Sequence, residues 1–365
     1  MDRHPTSRLK GRGTPRNPTS RFETISYQPD PADPDTPDSA PDQPGPKTRL
    51  LRDPSRTILS YNTSPDVGFR VSLNPYRGCE HGCIYCYARP THEWLGLSAG
   101  LDFETNLLVK HDAPQLLDKA LAAPSWQPQP IFFSGITDAY QPVERRLELT
   151  RGCLRVLAAY RNPVSIVTKS ALVSRDRDLL AQLAEGRAAL VCLSLTTLNA
   201  ELARRLEPRA STPARRLAAI TALAEAGIPV GVMIAPIIPG LTEHEIPALL
   251  TAAAQAGAQF AGHTIVRLPY GVAELFDQWL EDHYPERKNA VLNRIRSIRR
   301  GKLNDARWKT RMRGEGVLAE SIHGLFAVMS RKAGLDRPFP QLSSTAFRRP
   351  GQACQLSLFS TRQIT

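Results

Sequence analysis

The sequence has no long apolar segment, and this absence excludes a first set of protein classes. No apolar run approaches the roughly 18 residues that a membrane-spanning helix requires. The first residues, MDRHPTSRLKGRG, lack the apolar core of a secretory signal, so we expect a cytoplasmic protein. Apolar residues still make up 41% of the 365 residues, which excludes a wholly disordered or collagen-like chain and allows one large domain or two ordinary ones.

Acidic residues are scarce relative to basic ones. The chain contains 47 Lys and Arg but only 35 Asp and Glu, which gives a formal net charge of +12. This excess favours an anionic partner, and we expect that partner to be nucleic acid. Cysteine is limited to six residues, three of which fall within eight positions. Because a reducing compartment disfavours disulfides, this cluster predicts a metal site.

Changes in composition along the chain predict four regions. Residues 1–55 contain 11 of the 31 prolines and an acidic stretch, PDPADPDTPDSAPDQPGP, which is typical of a disordered tail. Residues 56–285 alternate between short β-rich runs and amphipathic helical stretches. Residues 286–340 are basic and predicted to be mainly helical, and residues 341–365 are predicted to form a flexible tail.

Six β-rich runs define the expected fold. They are mostly apolar on both faces, as parallel strands covered by helices must be, and amphipathic helices such as 143–160 are predicted between most of them. We therefore expect an α/β fold, a partial six-unit parallel β/α barrel, with ligands at the C-terminal ends of its strands. The six runs are 69–73, 131–135, 164–169, 189–195, 229–236 and 262–268.

Three cysteines directly follow the first predicted strand. They are Cys79, Cys83 and Cys86, at the spacing C-x-x-x-C-x-x-C. A tight loop at this spacing can direct three thiolates at one small volume, and Gly78 and Gly82 allow the backbone to wrap closely. Soft thiolates suit an iron–sulfur cluster or zinc. Three thiolates satisfy three irons of a cubane cluster and leave the fourth iron open to an external ligand.

A structural zinc site is the alternative interpretation of these cysteines. It would require a fourth protein ligand, and His81 or His92 lies close by in the sequence. A zinc knuckle would not normally open a six-unit barrel, so we favour the cluster. Two other cysteines, Cys153 and Cys192, occur in apolar helical and strand contexts, and we expect them to be buried structural thiols.

The triad spacing, its position after the first strand, the aromatic Tyr85 before the last cysteine and the β/α series resemble the radical SAM superfamily over residues 65–285. The resemblance implies a [4Fe–4S] cluster on the three cysteines and S-adenosylmethionine (SAM) on the fourth iron. It also implies an external electron donor and reductive cleavage of SAM to a 5′-deoxyadenosyl radical, which abstracts hydrogen from substrate.

Residues at the other predicted strand ends agree with a SAM site. Ser134 and Gly135 are small enough to let backbone groups approach a ligand, and Thr168 and Lys169 end the third strand with a cation suited to a carboxylate. The segments at 169–180, 206–211 and 235–241 resemble the spore photoproduct lyase, or DNA-repair photolyase-like, branch. That resemblance implies SAM contacts from Lys169, Ser194 and Ala235.

The sequence departs from the lyase branch at the hydrogen donor. The lyase uses a cysteine in the loop after the second strand, whereas residues 134–144 contain none. We therefore take Tyr85 and Tyr87 as the candidate catalytic residues that relay a hydrogen atom. The favoured activity is photolyase-like repair or modification of nucleic acid. The alternatives are a radical SAM enzyme acting on a protein or small molecule, and a non-catalytic, metal-stapled DNA-binding or adaptor protein.

Two C-terminal segments bear on partners. Residues 287–313 contain 11 Lys and Arg and one Asp, together with Trp308, and are either a nucleic-acid surface or a solvated helical face. The peptide Gln355–Phe359, QLSLF, resembles the motif by which bacterial replication and repair proteins bind the sliding clamp. The clamp is therefore a candidate partner, and packing of the peptide on the barrel is the alternative.

Overall fold

The computed structural model describes residues 9–23 and 46–350 and contains ten strands in two sheets. The helices and strands alternate from β6 onward, so that each parallel strand is followed by one or more helices. The strands are β1 (Arg49–Arg52), β2 (Leu59–Tyr61), β3 (Val71–Leu73), β4 (Tyr76–Arg77), β5 (Asn106–Val109), β6 (Ile131–Phe133), β7 (Val164–Thr168), β8 (Ala189–Ser194), β9 (Val230–Ile237) and β10 (Ala261–Ile265).

Eleven α-helices surround these strands in the described residues. They are α1 (Leu101–Thr105), α2 (Ala113–Ala122), α3 (Glu144–Leu147), α4 (Leu149–Tyr160), α5 (Arg177–Glu185), α6 (Ala200–Leu206), α7 (Pro213–Glu225), α8 (Ile246–Gln255), α9 (Gly271–His283), α10 (Pro285–Ser297) and α11 (Val317–Lys332). Helices α5, α7 and α8 pack directly on strands β8 and β9.

The main sheet has seven strands in the order β10-β9-β8-β7-β6-β3-β2. Neighbouring strands from β3 through β10 pair in parallel, and the edge strand β2 pairs antiparallel to β3. All six residues of the central strand β8 are buried, because helices cover its outer face and the barrel interior covers the other. The predicted α/β class and the partial, six-unit parallel barrel are confirmed.

The first predicted region is partly wrong. Residues 49–52 form β1, which pairs in parallel with β5, and β4 completes this small three-stranded sheet. Residues 9–23 pack against α1, where the carbonyl of Arg16 accepts a hydrogen bond from the Leu101 N–H at 3.1 Å. Residues 9–23 and 49–52 flank the Pro- and Asp-rich stretch and are less rich in these residues. Their backbone N–H and C=O groups therefore form hydrogen bonds with α1 and β5. Residues 1–8 and 24–45 lie outside the described residues.

The helix predicted over 143–160 is interrupted at Glu148. This residue adopts a left-handed conformation with φ of 49°, which ends α3 before α4 begins. The buried carboxylate of Glu144 accepts the N–H of Thr150 at 3.1 Å and thereby caps the first turn of α4. In a continuous helix the Glu144 carboxylate could not cap α4, because α4 would have no separate N-terminus.

The C-terminal extension is helical at α10 and α11 but irregular between them, at residues 298–316. The buried guanidinium of Arg299 attaches this loop to the end of the barrel by donating to the Val266 carbonyl at 2.6 Å and to the Arg311 carbonyl at 3.1 Å. The Ile265 N–H also donates to the Met312 carbonyl at 3.1 Å. The basic segment is therefore part of the barrel wall rather than a separate arm.

Acidic residues outside the segment neutralise much of the positive charge of residues 287–313. Counting the charged residues of the segment alone does not show this. The excess available to an external anion is therefore smaller than predicted. The pairs are Lys288 with Asp277 and Glu281, Arg294 with Glu243, Arg300 and Arg307 with Glu315, and Arg311 with Asp66.

The last described residues follow the outside of the barrel. The N–H of Arg348 donates to the Tyr160 carbonyl at 2.9 Å, and the Arg349 guanidinium donates to the Ala123 carbonyl at 3.1 Å. Residues 341–350 are therefore attached to the barrel helices and are not a free tail. The QLSLF peptide lies outside the described residues, so clamp binding stays a prediction. No helix in the described part of the chain is long and apolar enough to cross a membrane.

A pair of histidines joins the edge strand to the last helix. The ring nitrogens of His263 on β10 and His323 on α11 are 2.6 Å apart. Burial, and then the charges of His323 and Arg313, lower the pKa of His263 from 6.5 to about 4. Between these two values the unfolded chain binds a proton that the folded chain does not bind. The free energy of unfolding is therefore expected to fall as the pH falls through this window.

Replacing His263 with glutamine tests this expectation. The wild-type protein is expected to lose up to about 3 kcal/mol of unfolding free energy between pH 6.5 and 4, and the variant should show a flatter pH dependence. Urea titrations across that range measure both. The exposed His111→Gln variant serves as the control and should retain the wild-type slope. Equal slopes in all three proteins would contradict the assignment.

Candidate active site

A cavity of about 260 Å³ opens at the C-terminal ends of the parallel strands. It brings together residues that the sequence distributes over more than 150 positions. Gly135 lies beside this group, and its carbonyl accepts a hydrogen bond from the Tyr87 hydroxyl at 2.9 Å. The predicted site residues that line the cavity are Cys79, Cys83, Tyr85, Cys86, Tyr87, Ser134, Thr168, Lys169, Ser194 and Ala235.

The cysteine loop holds its three thiols at one end of this cavity. Cys79 and Cys83 are buried and Cys86 is partly buried. The loop is fixed by backbone hydrogen bonds, including one from the Cys79 N–H to the Phe103 carbonyl at 2.9 Å. Burial raises the pKa of all three thiols. Deprotonation of such thiols is favoured by a bound metal, whose charge stabilises the thiolate.

A buried ion pair supports the loop from below, and sequence reasoning missed it. The side chains of Arg89 and Glu104 are fully buried, with nitrogen and oxygen 2.5 Å apart. Arg89 also donates to the carbonyls of Cys83 at 2.9 Å and Gly100 at 2.8 Å. A Cβ at Gly82, where φ is 66°, would lie 2.6 Å from the Glu104 carboxylate. The pair therefore positions the loop but does not line the cavity.

The two histidines considered as zinc ligands are engaged in other contacts. The Nε2 atom of His92 lies 2.9 Å from the Asn106 carbonyl oxygen, and its ring packs on the edge of Phe103. The Nδ1 atom of His81 lies 3.4 Å from the Asp138 carboxylate. Within residues 9–23 and 46–350, no group of three His, Cys, Asp or Glu side chains is arranged to hold a single metal ion.

A buried charge network centred on Glu207 joins Lys169 to the cysteine loop through Tyr85. The carboxylate of Glu207 accepts hydrogen bonds from Arg216, from Tyr85 and, at 2.7 Å, from Thr196, and it lies 3.3 Å from the Lys169 amine. Burial alone would raise the pKa of Glu207, but the charges of Arg216 and Lys169 outweigh it and lower the pKa. Two cations against one carboxylate leave one net positive charge in this network, of which only Lys169 lines the cavity.

Lys169 is held in place by this network. Its amine donates to the Ala235 carbonyl at 2.9 Å, so two residues predicted from separate strand ends are in direct contact. The same contact fixes the orientation of the Ala235 peptide at the end of β9. Glu207 and Arg216 carry no local pattern that marks them as site residues; the only sequence signal was the segment at 206–211, which resembles the lyase branch.

Asp138 organises the loop after β6 and the end of β7. Its carboxylate accepts hydrogen bonds from the Thr168 hydroxyl at 2.7 Å, the Lys169 N–H at 2.8 Å and the Tyr140 N–H at 2.9 Å. Burial alone would raise the pKa of Asp138, but His81 and these hydrogen bonds lower it to about 2. The Thr168 hydroxyl is therefore already engaged, although the residue lines the cavity.

Two serines, at the ends of β6 and β8, have different hydrogen-bond partners. The buried Ser134 hydroxyl has no hydrogen-bond partner among the described residues, and its backbone adopts a φ of 77°. A buried hydroxyl without a partner is costly unless a ligand or water satisfies it. Ser194 lines the same cavity, and its carbonyl accepts a hydrogen bond from Arg216 at 2.9 Å.

The cavity mouth adds residues that were not predicted. The guanidinium of Arg267, which follows β10, lies 4.5 Å from the ring centroid of Tyr87. Met312, from the irregular stretch at residues 298–316 (the basic loop), lines the same cavity. Tyr87 is 47% exposed. A cation at the end of the sixth β-rich run was a signal that could have identified Arg267. Nothing in the local pattern around Met312 indicated a place at the cavity.

Comparisons with known proteins define the class of the chain. Residues 73–253 match the Radical SAM superfamily. An uncharacterised protein of Mycobacterium tuberculosis is 37% identical over 283 residues, which cover 76% of this chain and 79% of that protein. An uncharacterised protein of Methanocaldococcus jannaschii is 29% identical over 233 residues, 64% of this chain and 83% of that protein.

Among solved structures, spore photoproduct lyase complexed with dinucleoside spore photoproduct is similar to this chain. The TM-score is 0.57 at 17% identity, with 78% of this chain and 79% of the lyase chain covered. The chain belongs to the radical SAM superfamily and has the fold of spore photoproduct lyase. It is a radical SAM enzyme, and membership in this family implies SAM and a [4Fe–4S] cluster as its cofactors.

Proposed function

We propose that this enzyme uses a [4Fe–4S] cluster and SAM to repair or modify nucleic acid. Cys79, Cys83 and Cys86 would hold the cluster, since all three thiols line one cavity and thiolates are its natural ligands. When bound, the cluster supplies the electron for reductive cleavage of SAM. The observation that carries the proposal is that these thiols, the Lys169 amine and the Arg267–Tyr87 stack line the same cavity.

Other residues of the cavity lining suit the amino acid part of SAM. Lys169 lines the cavity and belongs to a network with Arg216 and Glu207 that keeps one net positive charge, which favours a carboxylate. The unpartnered Ser134 hydroxyl offers a further donor or acceptor on the same lining. We therefore retain as proposed SAM contacts Ser134, Gly135, Thr168, Lys169, Ser194 and Ala235.

The cavity mouth suits a nucleotide substrate. A planar guanidinium stacked on an exposed aromatic ring, as in Arg267 on Tyr87, provides both a phosphate-binding cation and a surface on which a base can stack. Trp308 of the neighbouring basic loop is 51% exposed, with the Arg311 guanidinium 5.1 Å from its ring centroid. The lyase with the same fold was solved with a dinucleoside photoproduct, which supports the same substrate class here.

Tyr85 and Tyr87 remain the proposed hydrogen-atom relays. The Tyr85 hydroxyl is buried and donates to Glu207 in the buried charge network. The Tyr87 hydroxyl donates to the Gly135 carbonyl at the mouth, where a substrate would enter. The Tyr87 hydroxyl is near the cavity mouth and the Tyr85 hydroxyl is in the interior. The two tyrosines could therefore pass a hydrogen atom in two steps between solvent and the interior.

Replacing Arg267 with glutamine tests the nucleic-acid proposal. The affinity for a DNA duplex is expected to fall, and the slope of log affinity against log salt should decrease by about one, because one phosphate contact is lost. Fluorescence anisotropy over a salt series measures both quantities. The exposed Arg155→Gln variant on α4 is the control and should keep the wild-type slope. No binding of wild-type protein at low salt would instead favour a protein or small-molecule substrate.

Product formation tests the reaction itself. Anaerobic protein reconstituted with iron and sulfide, reduced in the presence of SAM, is expected to form 5′-deoxyadenosine. The yield should rise when lesion-bearing DNA is added and should not rise with undamaged DNA. Formation that is indifferent to both DNA samples would contradict the substrate, and no formation at all would contradict the radical SAM chemistry.

A further inference from the structure

A second concave surface lies on the outer side of the cysteine loop. This cleft has a volume of about 550 Å³. It shares no lining residue with the cavity that holds the three thiols. We call it the basic cleft. Its charged lining residues are Lys10, Arg12, Lys47, Arg146, Arg209 and Glu80.

Five cations and one carboxylate give the basic cleft a strong positive charge. The carboxylate does not face the opening freely, because Glu80 is buried, accepts the Thr48 hydroxyl at 2.7 Å and pairs with Arg209 at 3.1 Å. Three of the cations, Lys10, Lys47 and Arg146, are exposed and form no ion pair with another described residue. Within residues 9–23 and 46–350, no carboxylate is paired with these three cations.

The remaining two cations are held rigidly at the base of the cleft. Arg12 donates to the Glu104 carbonyl at 2.9 Å and to the Thr48 hydroxyl at 3.2 Å, and Arg209 donates to the same hydroxyl at 3.4 Å. Two guanidinium groups thus converge on one hydroxyl. Guanidinium groups that are fixed close together are well placed to bind carboxylates, because little side-chain freedom is lost on binding.

The position of the basic cleft, close to Cys79, indicates which kind of anionic partner binds there. Glu80 directly follows Cys79, so a group that touches Glu80 lies within about 10 Å of the Cys79 backbone. The cavity on the other side of the loop must hold SAM and substrate during turnover. A reductant therefore needs a separate approach to the metal site, and the cleft provides one that can be occupied while the cavity is full.

We infer that the basic cleft docks an acidic electron-carrier protein, which reduces the cluster that the proposed function places on the three cysteines. The carrier presents carboxylates to the exposed cations Lys10, Lys47 and Arg146 and transfers one electron. The carrier is oxidised by one electron, the cluster is reduced by the same electron, and no covalent bond forms or breaks. The cations act on docking and on the association rate rather than on the chemistry of the cavity.

A triple variant tests this inference: Lys10→Gln, Lys47→Gln and Arg146→Gln. The matched control replaces three exposed cations outside the cleft, Lys119→Gln, Arg155→Gln and Lys332→Gln, with the same change in charge. The probe is an acidic flavodoxin. Its binding to full-length protein, with and without reconstituted cluster, is measured by fluorescence titration at low and high salt. The cleft variant is expected to bind about tenfold more weakly at low salt, and the control as tightly as wild type.

A second measurement separates docking from the proposed function. SAM cleavage driven by reduced flavodoxin should slow about tenfold in the cleft variant, whereas cleavage driven by dithionite should be unchanged. Failure of every protein with dithionite would contradict the proposed function but leave the binding result intact. Equal flavodoxin binding by wild type and cleft variant would overturn the inference. It would also be overturned if the cleft variant lost affinity for a DNA oligonucleotide instead of flavodoxin.

Discussion

Cys83→Ala is expected to abolish stable cluster binding and SAM cleavage. Three thiols line the cavity, and removal of one leaves an iron of the cluster without its protein ligand. Even residues that only orient a metal ligand change metal affinity by about 10- to 100-fold, so loss of a ligand should exceed that range. Iron and sulfide bound per chain after anaerobic reconstitution, together with 5′-deoxyadenosine formed, measure the effect.

The chain provides a matched control for this substitution. Cys192 on β8 is equally buried, and burial raises the pKa of its thiol, but it does not line the cavity. Cys192→Ala should retain iron and activity. Wild-type protein that contained stoichiometric zinc and no iron, or a Cys83→Ala variant that kept the wild-type iron content, would contradict the assignment of the three cysteines.

Arg89→Met is expected to lower the free energy of unfolding by about 3–5 kcal/mol. The substitution leaves the fully buried carboxylate of Glu104 without its cation, and removing one partner of a buried ion pair has a cost of this size. The Glu104 carboxylate would keep the Gly13 N–H, which donates at 2.8 Å. Because Arg89 also holds the Cys83 carbonyl, the cysteine loop should loosen and retain less iron.

Two controls distinguish this effect from a general loss of surface charge. Arg52→Met removes an exposed pair with Asp112 at 3.5 Å and should change stability by less than about 1 kcal/mol. The double variant Arg89→Met/Glu104→Met removes both charges and should recover part of the loss. Urea unfolding measures all four proteins. If Arg89→Met were no less stable than Arg52→Met, the pair would have no supporting role under the loop.

The prediction of the central barrel from the sequence was largely successful. Six β-rich runs corresponded to the six parallel strands, because strands buried on both faces have to be nearly continuous runs of apolar residues. The flanks of the Pro- and Asp-rich segment were predicted incorrectly. Strand β1, with the sequence RLLR, is short and half exposed, and its stability comes from pairing with β5 more than 50 residues away.

The sequence predicted those residues of the candidate site that lie at strand ends. Lys169, Ser194 and Ala235 lie at or near the C-terminal ends of recognisable strands, so their shared edge could be inferred from the order of the elements. Glu207, Arg216 and Arg267 could not be placed in the same way. Glu207 follows a helix and Arg216 lies within one, and no local periodicity indicates that Glu207 pairs with both Arg216 and Lys169.

The sequence by itself determined the identity of the chemistry: three thiols at a fixed spacing after a buried strand, and small or cationic residues at the ends of the strands that follow. Both depend on local spacing and apolar patterning, which operate over a few residues. Only the tertiary structure decided which charges support the cysteine loop, which neutralise the basic segment and which remain on the outer cleft. These pairings join groups from distant parts of the chain, as in Arg209 with Glu80, and exist only once folding has brought the groups together.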